Sequence, residues 1–193
     1  MLNLSEDVRP IYTIDVDDRL VQANRASLGS FGVAASTPSQ SLLGKSIWDF
    51  LPGAQIRQLW QILYSRVRAV GVPVFVPMRA DTASQRRLVD LELHPLADRS
   101  IQHICECVWT EPRLAVALLD PEYPRDERSL LSCAWCQRIQ VRLGLWEEIE
   151  PAQQSLRIEA VETLPRLKPA VCTSCTQSLL RTFPARVAPV RVA

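Results

Sequence analysis

The chain has 193 residues, of which 47% are hydrophobic and 22% are charged, a composition typical of folded globular proteins. Its formal net charge of +1 excludes a general electrostatic attraction to nucleic acids or anionic membranes. Residues 1–7 lack the basic start and apolar stretch of a signal peptide. No run approaches the roughly 18 apolar residues that a membrane span requires. We therefore expect a cytoplasmic protein with reduced thiols and no membrane partner.

The first part of the chain has the pattern of short strands followed by short helical turns. Residues 11–24 predict two strands joined by a turn at Asp17 and Asp18. Asn24 can cap a short helix after the second strand, and Ser46 can cap a helical turn that ends before Pro52.

The clearest helical pattern runs from about residue 54 to residue 69. Apolar side chains recur here at helical spacing, and Gly71 is suited to end the helix. The apolar stripe consists of Ile56, Leu59, Trp60, Leu63, Val67 and Val70.

Three further strands are predicted at residues 72–78, 88–93 and 101–110, where apolar side chains alternate. Short polar turns connect them, so neighbouring strands run antiparallel. Together with the first two strands they predict a five-stranded antiparallel sheet with helices on one face, which is an α+β fold.

The order of these elements over residues 8–112 resembles a PAS domain, and so do two local motifs. The motifs are IDVDDRLVQAN at residues 14–24 and LGKSIWDF at residues 43–50. The resemblance implies a sensory or interaction module. It leaves the ligand open, because PAS domains bind haem, flavin, metabolites or proteins. Residues 23–33 and 54–70 contain no cysteine like that of flavin photoreceptors, and neither haem nor flavin is indicated.

A ligand pocket is expected between the sheet and the long helix, where their apolar faces meet. His103, Cys105 and Cys107 share one face of a strand and could hold a haem or a metal, or sense oxidants. The alternative is that both cysteines act as small hydrophobic residues and that His103 is a hydrogen-bonded core residue. The predicted pocket is lined by Trp60, Leu63, Val89, Leu91, His103, Cys105 and Cys107.

Four segments are predicted from composition. A PAS-like sensor domain occupies residues 1–112, and a proline-rich, charged linker follows at residues 113–131. A small cysteine module covers residues 132–183, and residues 184–193 are predicted to be a disordered tail.

The linker contains an apolar stretch at residues 114–119 that would be costly to expose, at about 25 cal/mol per Å². We expect it to pack back on the first domain and to pass a shift of the preceding strand to the second module. The alternative is a flexible spacer, which Pro112, Pro121 and Pro124 favour.

Two Cys-x-x-Cys pairs mark the second module. Each pair directs two thiolates to one point, and two pairs supply the four soft ligands that suit tetrahedral zinc. One pair alone is a weak signal, whereas a second pair makes the pattern specific. The alternatives are two disulfides, a reactive redox dithiol, or four unliganded buried thiols. The predicted zinc ligands are Cys133, Cys136, Cys172 and Cys175.

This segment also resembles an appendage of bacterial PAS-containing signalling proteins. The likeness lies in LSCAWC at residues 131–136, Trp146, and CTSC at residues 172–175. Thr173 and Ser174 depart from the usual Pro-Asp or Pro-Glu, and no histidine lies nearby. The resemblance therefore implies a structural zinc held by four cysteines.

These features predict a signalling adaptor that detects a small ligand or a partner and relays the event through a structural zinc module. Its partner is expected to be a protein, including self-association through the PAS domain. The alternatives are a zinc-containing transcription regulator and a thiol redox sensor. Basic and acidic residues nearly balance over residues 132–183, so nucleic acid is not an expected partner. Catalysis is not expected, because neither a glycine-rich phosphate loop nor a Ser-His-Asp arrangement is readable.

Overall fold

The computed structural model of the chain describes residues 9–31, 34, 36–159 and 161–182. The predicted tail at residues 184–193 lies outside the described residues.

Backbone contacts divide the chain into two compact units. The first contains the described residues up to Val76, then Leu91–Glu106, and those from Ser178 onward. The second contains Pro77–Asp90 and Cys107–Gln177. The domain boundaries predicted at residues 112 and 131 concern independent folding of the segments. They remain a prediction.

All five strands of the predicted sheet are present: β1 (Ile11–Ile14), β2 (Leu20–Ala23), β3 (Val74–Arg79), β4 (Gln85–Pro95) and β5 (Ile101–Pro112). The sheet is antiparallel, with the strand order β2-β1-β5-β4-β3. β1 pairs with both β2 and β5, and Ile11 lies opposite Ile104. The predicted α+β fold class is therefore confirmed.

Side-chain caps start the short helical turns where the sequence predicts them. The Ser27 backbone N–H donates to Asn24 Oδ1 at 3.0 Å, at the start of the 3-10 turn Arg25–Phe31. The Trp48 backbone N–H donates to Ser46 Oγ at 3.3 Å in the next such cap. Each cap satisfies an N–H group that has no partner inside its own turn.

Helix α1 (Ala54–Val70) buries the predicted apolar stripe except for its last member, Val70, which is exposed, and it ends at Gly71. Gly71 has φ of 70°, and its N–H donates to the Val67 carbonyl at 3.1 Å. This left-handed conformation is one that glycine adopts without a steric penalty. The buried stripe consists of Ile56, Leu59, Trp60, Leu63 and Val67, together with Tyr64.

Strand β5 is buried only in its first half. Ile101 and His103 are fully buried and Cys105 is half-buried, whereas Cys107 is exposed. Pairing of β1 with β5 ends at Ile104 in the described residues, so the strand that covers one edge of β5 stops where burial declines. The predicted alternation therefore holds for the first half of β5 only.

The second unit contains a four-stranded sheet and two helices. Its strands follow the order β8-β7-β6-β9, and β6 and β9 run parallel. The elements are β6 (Arg125–Cys133), β7 (Ile139–Arg142), β8 (Leu145–Glu147), α2 (Ile149–Leu156), β9 (Leu164–Ala170) and α3 (Thr173–Thr182), of which α3 begins in this unit.

The apolar side chains of residues 114–119 contribute to the core of the second unit. In line with the predicted packing against residues 1–112, the Val116 N–H donates to the Ala83 carbonyl at 2.9 Å. Leu118 is fully buried, whereas Leu114 is 91% exposed. Apolar side chains of the four-stranded sheet and α2 provide the surface that covers Leu118. The core cluster consists of Val116, Leu118, Ile139, Ile149, Ala152, Ile158 and Leu164.

The last part of the predicted linker is folded as well, because β6 begins at Arg125. The Arg125 guanidinium donates to four backbone carbonyls: Ala117 at 3.5 Å, Leu118 at 3.0 Å, Asp120 at 2.7 Å and Pro165 at 3.1 Å. One cation thereby satisfies carbonyl groups from two separate segments of this unit.

Candidate metal centre

The parallel pairing of β6 with β9 brings the two cysteine pairs together. Cys133, the last residue of β6, lies opposite Ala170, the last residue of β9. Carboxyl ends of parallel strands lie at the same edge of a sheet, and Cys172 follows Ala170 by two residues. The two pairs, distant in sequence, therefore meet at one edge.

The first pair occupies the tight turn between β6 and β7. The Cys133 N–H donates to the Arg138 carbonyl at 2.8 Å, and the Gln137 N–H donates to the Cys133 carbonyl at 2.8 Å. Gln137 has φ of 58°, the left-handed conformation that closes the turn. Trp135 is buried in the turn, and Cys136 is half-buried.

The second pair lies at the start of α3. The Thr176 N–H donates to the Cys172 carbonyl at 3.0 Å, which is a helical hydrogen bond of the first turn. The Cys175 N–H points instead at Cys172 Sγ, at 3.4 Å, and the Cys172 N–H points at Cys133 Sγ, also at 3.4 Å. Such N–H groups stabilise thiolates, and so does the positive end of a helix dipole.

The four Sγ atoms all lie within 4.8 Å of one another. Zinc–sulfur bonds of about 2.3 Å at tetrahedral angles place sulfurs about 3.8 Å apart. The Sγ atoms of Cys136 and Cys172 are 3.8 Å apart, and all four thiols are free. The predicted ligands thus form a set that can hold a metal ion, and the chemistry of four thiolates favours zinc or iron.

The four thiols of the quartet influence one another's protonation. Hydrogen bonds from Cys136 and Cys175 lower the pKa of Cys133. The hydrogen bond to Cys133 raises the pKa of Cys136 to about 12 and also raises the pKa of Cys175, because each donor loses its bond on deprotonation. Four thiolates this close repel one another, and a divalent cation at their centre would stabilise all of them.

Arg138 is the charged residue of the first cysteine turn. Its Nε donates to Glu148 Oε1 at 2.9 Å, and this hydrogen bond raises the pKa of Arg138. If Cys136 and Cys172 were thiolates, their charges would raise it further. Arg138 therefore offsets part of the charge of a four-thiolate site while it also pairs with Glu148.

The residues of the predicted ligand pocket have different environments. In the first unit, Trp60, Leu63, Leu91 and His103 are buried and Cys105 is half-buried; in the second, Val89 is buried and Cys107 is exposed. A ligand cavity lined by these residues remains a prediction.

His103 lies in a group of aromatic side chains inside the first unit. Its ring stacks on Tyr12 with centroids 4.2 Å apart, and Nε2 is 3.0 Å from the Tyr64 hydroxyl. The Trp60 ring centroid lies 6.4 Å away. Burial lowers the pKa of His103 to about 3, so the ring is neutral at physiological pH. His103 is thus a buried core residue with a hydrogen bond to Tyr64.

We expect His103 to make the first unit sensitive to acid. Its pKa of about 3 in the folded chain is below the ordinary value of 6.5, so protons favour the unfolded chain as pH falls below 6.5. The contribution of neutral His103 to the stability of the first unit is fully present above pH 6.5 and is lost progressively as the pH falls towards 3. Between pH 7 and pH 5 the loss should be about 2 kcal/mol.

Urea unfolding monitored by circular dichroism checks this prediction at the two pH values. In His103→Gln the difference in unfolding free energy between pH 7 and pH 5 should be much smaller, because glutamine does not titrate. An equal pH dependence in both proteins would mean that another group is responsible.

The second unit contains a cluster of ion pairs that is not predicted from the sequence. The Asp81 carboxylate, whose side chain is fully buried, pairs with Arg79 and with Arg113 Nη1 at 3.3 Å. Glu150 lies 2.8 Å from Arg86 and 3.4 Å from Arg113. Arg79 and Asp81 are close in sequence, but Arg113 and Glu150 are distant from both, so no local pattern could have identified the whole cluster.

No helix among the described residues combines the length and the apolar character needed to span a membrane.

Comparison with known proteins gives matches only among solved structures. No protein-family model matches the chain, and no curated protein matches it. The PAS domain of BvgS from Bordetella pertussis is 25% identical, with a TM-score of 0.42 over 53% of this chain and 79% of that chain.

Two further solved structures are similar over 53% of this chain. A domain of a sensory box sensor histidine kinase/response regulator from Geobacter sulfurreducens is 17% identical, with a TM-score of 0.37 over 85% of that chain. The PAS domain of an HTR-like protein from Haloarcula marismortui is 16% identical, with a TM-score of 0.32 over 89% of that chain. Two of these three structures are PAS domains, and each match covers 53% of this chain.

Proposed function

We propose that this chain is a non-catalytic sensory signalling module of the PAS type, and that a structural zinc ion stabilises its second unit. The observation that carries the zinc assignment is the convergence of four free cysteine sulfurs within 4.8 Å. The sensory assignment is supported by the PAS-like motifs of residues 14–24 and 43–50 and by the order of the five strands.

The second unit has the features of a domain that needs a metal for stability. Two of the four strands of its sheet have only three or four residues, and the core cluster has seven buried aliphatic side chains. Such small cores seldom supply sufficient stability by themselves. Zinc suits the role better than iron, since it is redox-inert and structural sites with four cysteines are typical of it.

The partner that we propose is a protein, either a second copy of this chain or another signalling component. Several cations of the second unit support this choice over nucleic acid, because they are paired with carboxylates, for example Arg138 with Glu148 and Arg86 with Glu150. Paired cations provide no basic stripe for phosphates. Sedimentation of the purified chain at high protein concentration measures its oligomeric state. A monomer would contradict self-association, and the proposed partner would then be a different protein.

Elemental analysis of freshly purified protein tests the zinc assignment. We expect one zinc ion per chain, and cobalt substitution should give the intense d–d absorption of a tetrahedral thiolate site. Metal-free protein in which the cysteines oxidise readily to disulfides would contradict the proposal and support the redox alternative.

A further inference from the structure

The β3–β4 turn, defined here as the connection between the two strands together with the strand residues beside it (residues 79–87), contacts the first cysteine turn directly. The Arg79 N–H donates to the Trp135 carbonyl at 2.7 Å. The Asp81 N–H donates to Gln137 Oε1 at 2.6 Å. Trp135 and Gln137 flank Cys136, and all of these residues belong to the second unit. One backbone bond and one side-chain bond therefore hold the cysteine turn on both sides of a predicted zinc ligand.

Asp81 is itself held firmly. Its buried carboxylate accepts hydrogen bonds from Arg79 Nε at 2.8 Å and from the Arg87 backbone N–H at 2.9 Å. Arg113 Nη1 lies 3.3 Å from the same carboxylate. Charge-assisted bonds of this kind are short and strong, and their number fixes the position of the Asp81 backbone. The N–H that meets Gln137 is therefore preorganised.

Gln137 has a second role in the cysteine turn, since its own N–H donates to the Cys133 carbonyl at 2.8 Å. A residue with φ of 58° in a short loop costs conformational energy unless neighbouring contacts hold it. The side-chain bond to Asp81 is such a contact. Without it, the turn would sample arrangements in which the sulfurs of Cys133 and Cys136 point apart.

We infer that Gln137 is a positioning residue for zinc, and that the β3–β4 turn sets the geometry of the first cysteine turn through it. The inference rests on the proposed zinc binding. The β3–β4 turn is also the direct continuation of two strands of the five-stranded sheet.

Gln137→Asn tests the inference, because asparagine tolerates a positive φ but is one methylene too short to reach the Asp81 N–H. Contacts around metal ligands typically contribute 10–100-fold to affinity, so we expect zinc to bind about ten-fold more weakly. Competition with a chromophoric chelator measures the affinity. The cobalt d–d spectrum of the folded, loaded protein should also shift, which a general loss of stability would not cause.

Gln137→Met is the second variant, since it keeps the length of the side chain and removes the acceptor. Gln154→Met on an exposed part of α2 is the control and should bind zinc like the wild type. Wild-type affinity and an unchanged cobalt spectrum in both Gln137 variants would overturn the inference while zinc binding stands. A wild-type protein that binds no zinc would instead overturn the proposed function, and the inference with it.

Discussion

Replacing Cys133 by serine is expected to abolish tight zinc binding and to unfold the four-stranded sheet of the second unit. Cys133 is 1% exposed, and its Sγ accepts the Cys172 backbone N–H, so it joins the two cysteine pairs. Serine is a harder and shorter ligand than thiolate. Structural zinc typically contributes on the order of 10 kcal/mol to folding, which is as much as the whole stability of many domains.

Amide hydrogen exchange at neutral pH measures this effect in the full chain. Protection should be lost in β6, β7 and β9 and retained in α1, which lies in the first unit. Cys107→Ser is the matched control, because Cys107 is exposed and outside the quartet. If Cys133→Ser kept the protection of β6 and β9 in the presence of a chelator, zinc would not be structural.

The parts of the fold that the sequence predicts correctly are those set by local patterns. The stripe of α1 has helical period over several turns, and Gly71 ends it with the conformation that glycine favours. Asn24 and Ser46 are capping residues whose hydrogen bonds span only two or three positions. The four cysteine ligands are predictable for a related reason, because each Cys-x-x-Cys pair is a local motif with few chemical uses.

The parts that the sequence does not predict depend on contacts between distant segments. β9 contains Pro165 and Pro169, and proline is unfavourable in most strands. β9 nevertheless pairs with β6 at the edge of the sheet. An edge strand needs hydrogen bonds on one side only, so it tolerates proline. The bond between Asp81 and Gln137 spans 56 positions and has no local signature.

Leu118→Asp is expected to destabilise the second unit by more than about 4 kcal/mol. Leu118 is fully buried, in the same core cluster as Ile139 and Leu164. The substitution removes a large aliphatic side chain and places a carboxylate among apolar neighbours, where it must unfold the core or take up a proton. Because Leu118 belongs to the stretch predicted to be a linker, the size of the loss reports whether this stretch is part of the folded unit.

Leu114→Asp provides a control only four positions away, since Leu114 is 91% exposed and the new charge would remain in water. Its effect should lie within about 0.5 kcal/mol of zero, as for most surface substitutions. Urea unfolding of the zinc-loaded proteins measures the free energies of unfolding. Hydrogen exchange measures the protection of the backbone amides of residues 114–119. Slow exchange in the wild type that is lost in Leu118→Asp alone is the result we expect. Fast exchange throughout residues 114–130 in the wild type would mean that this segment is a spacer, and the packing of Leu118 would then contribute little to stability.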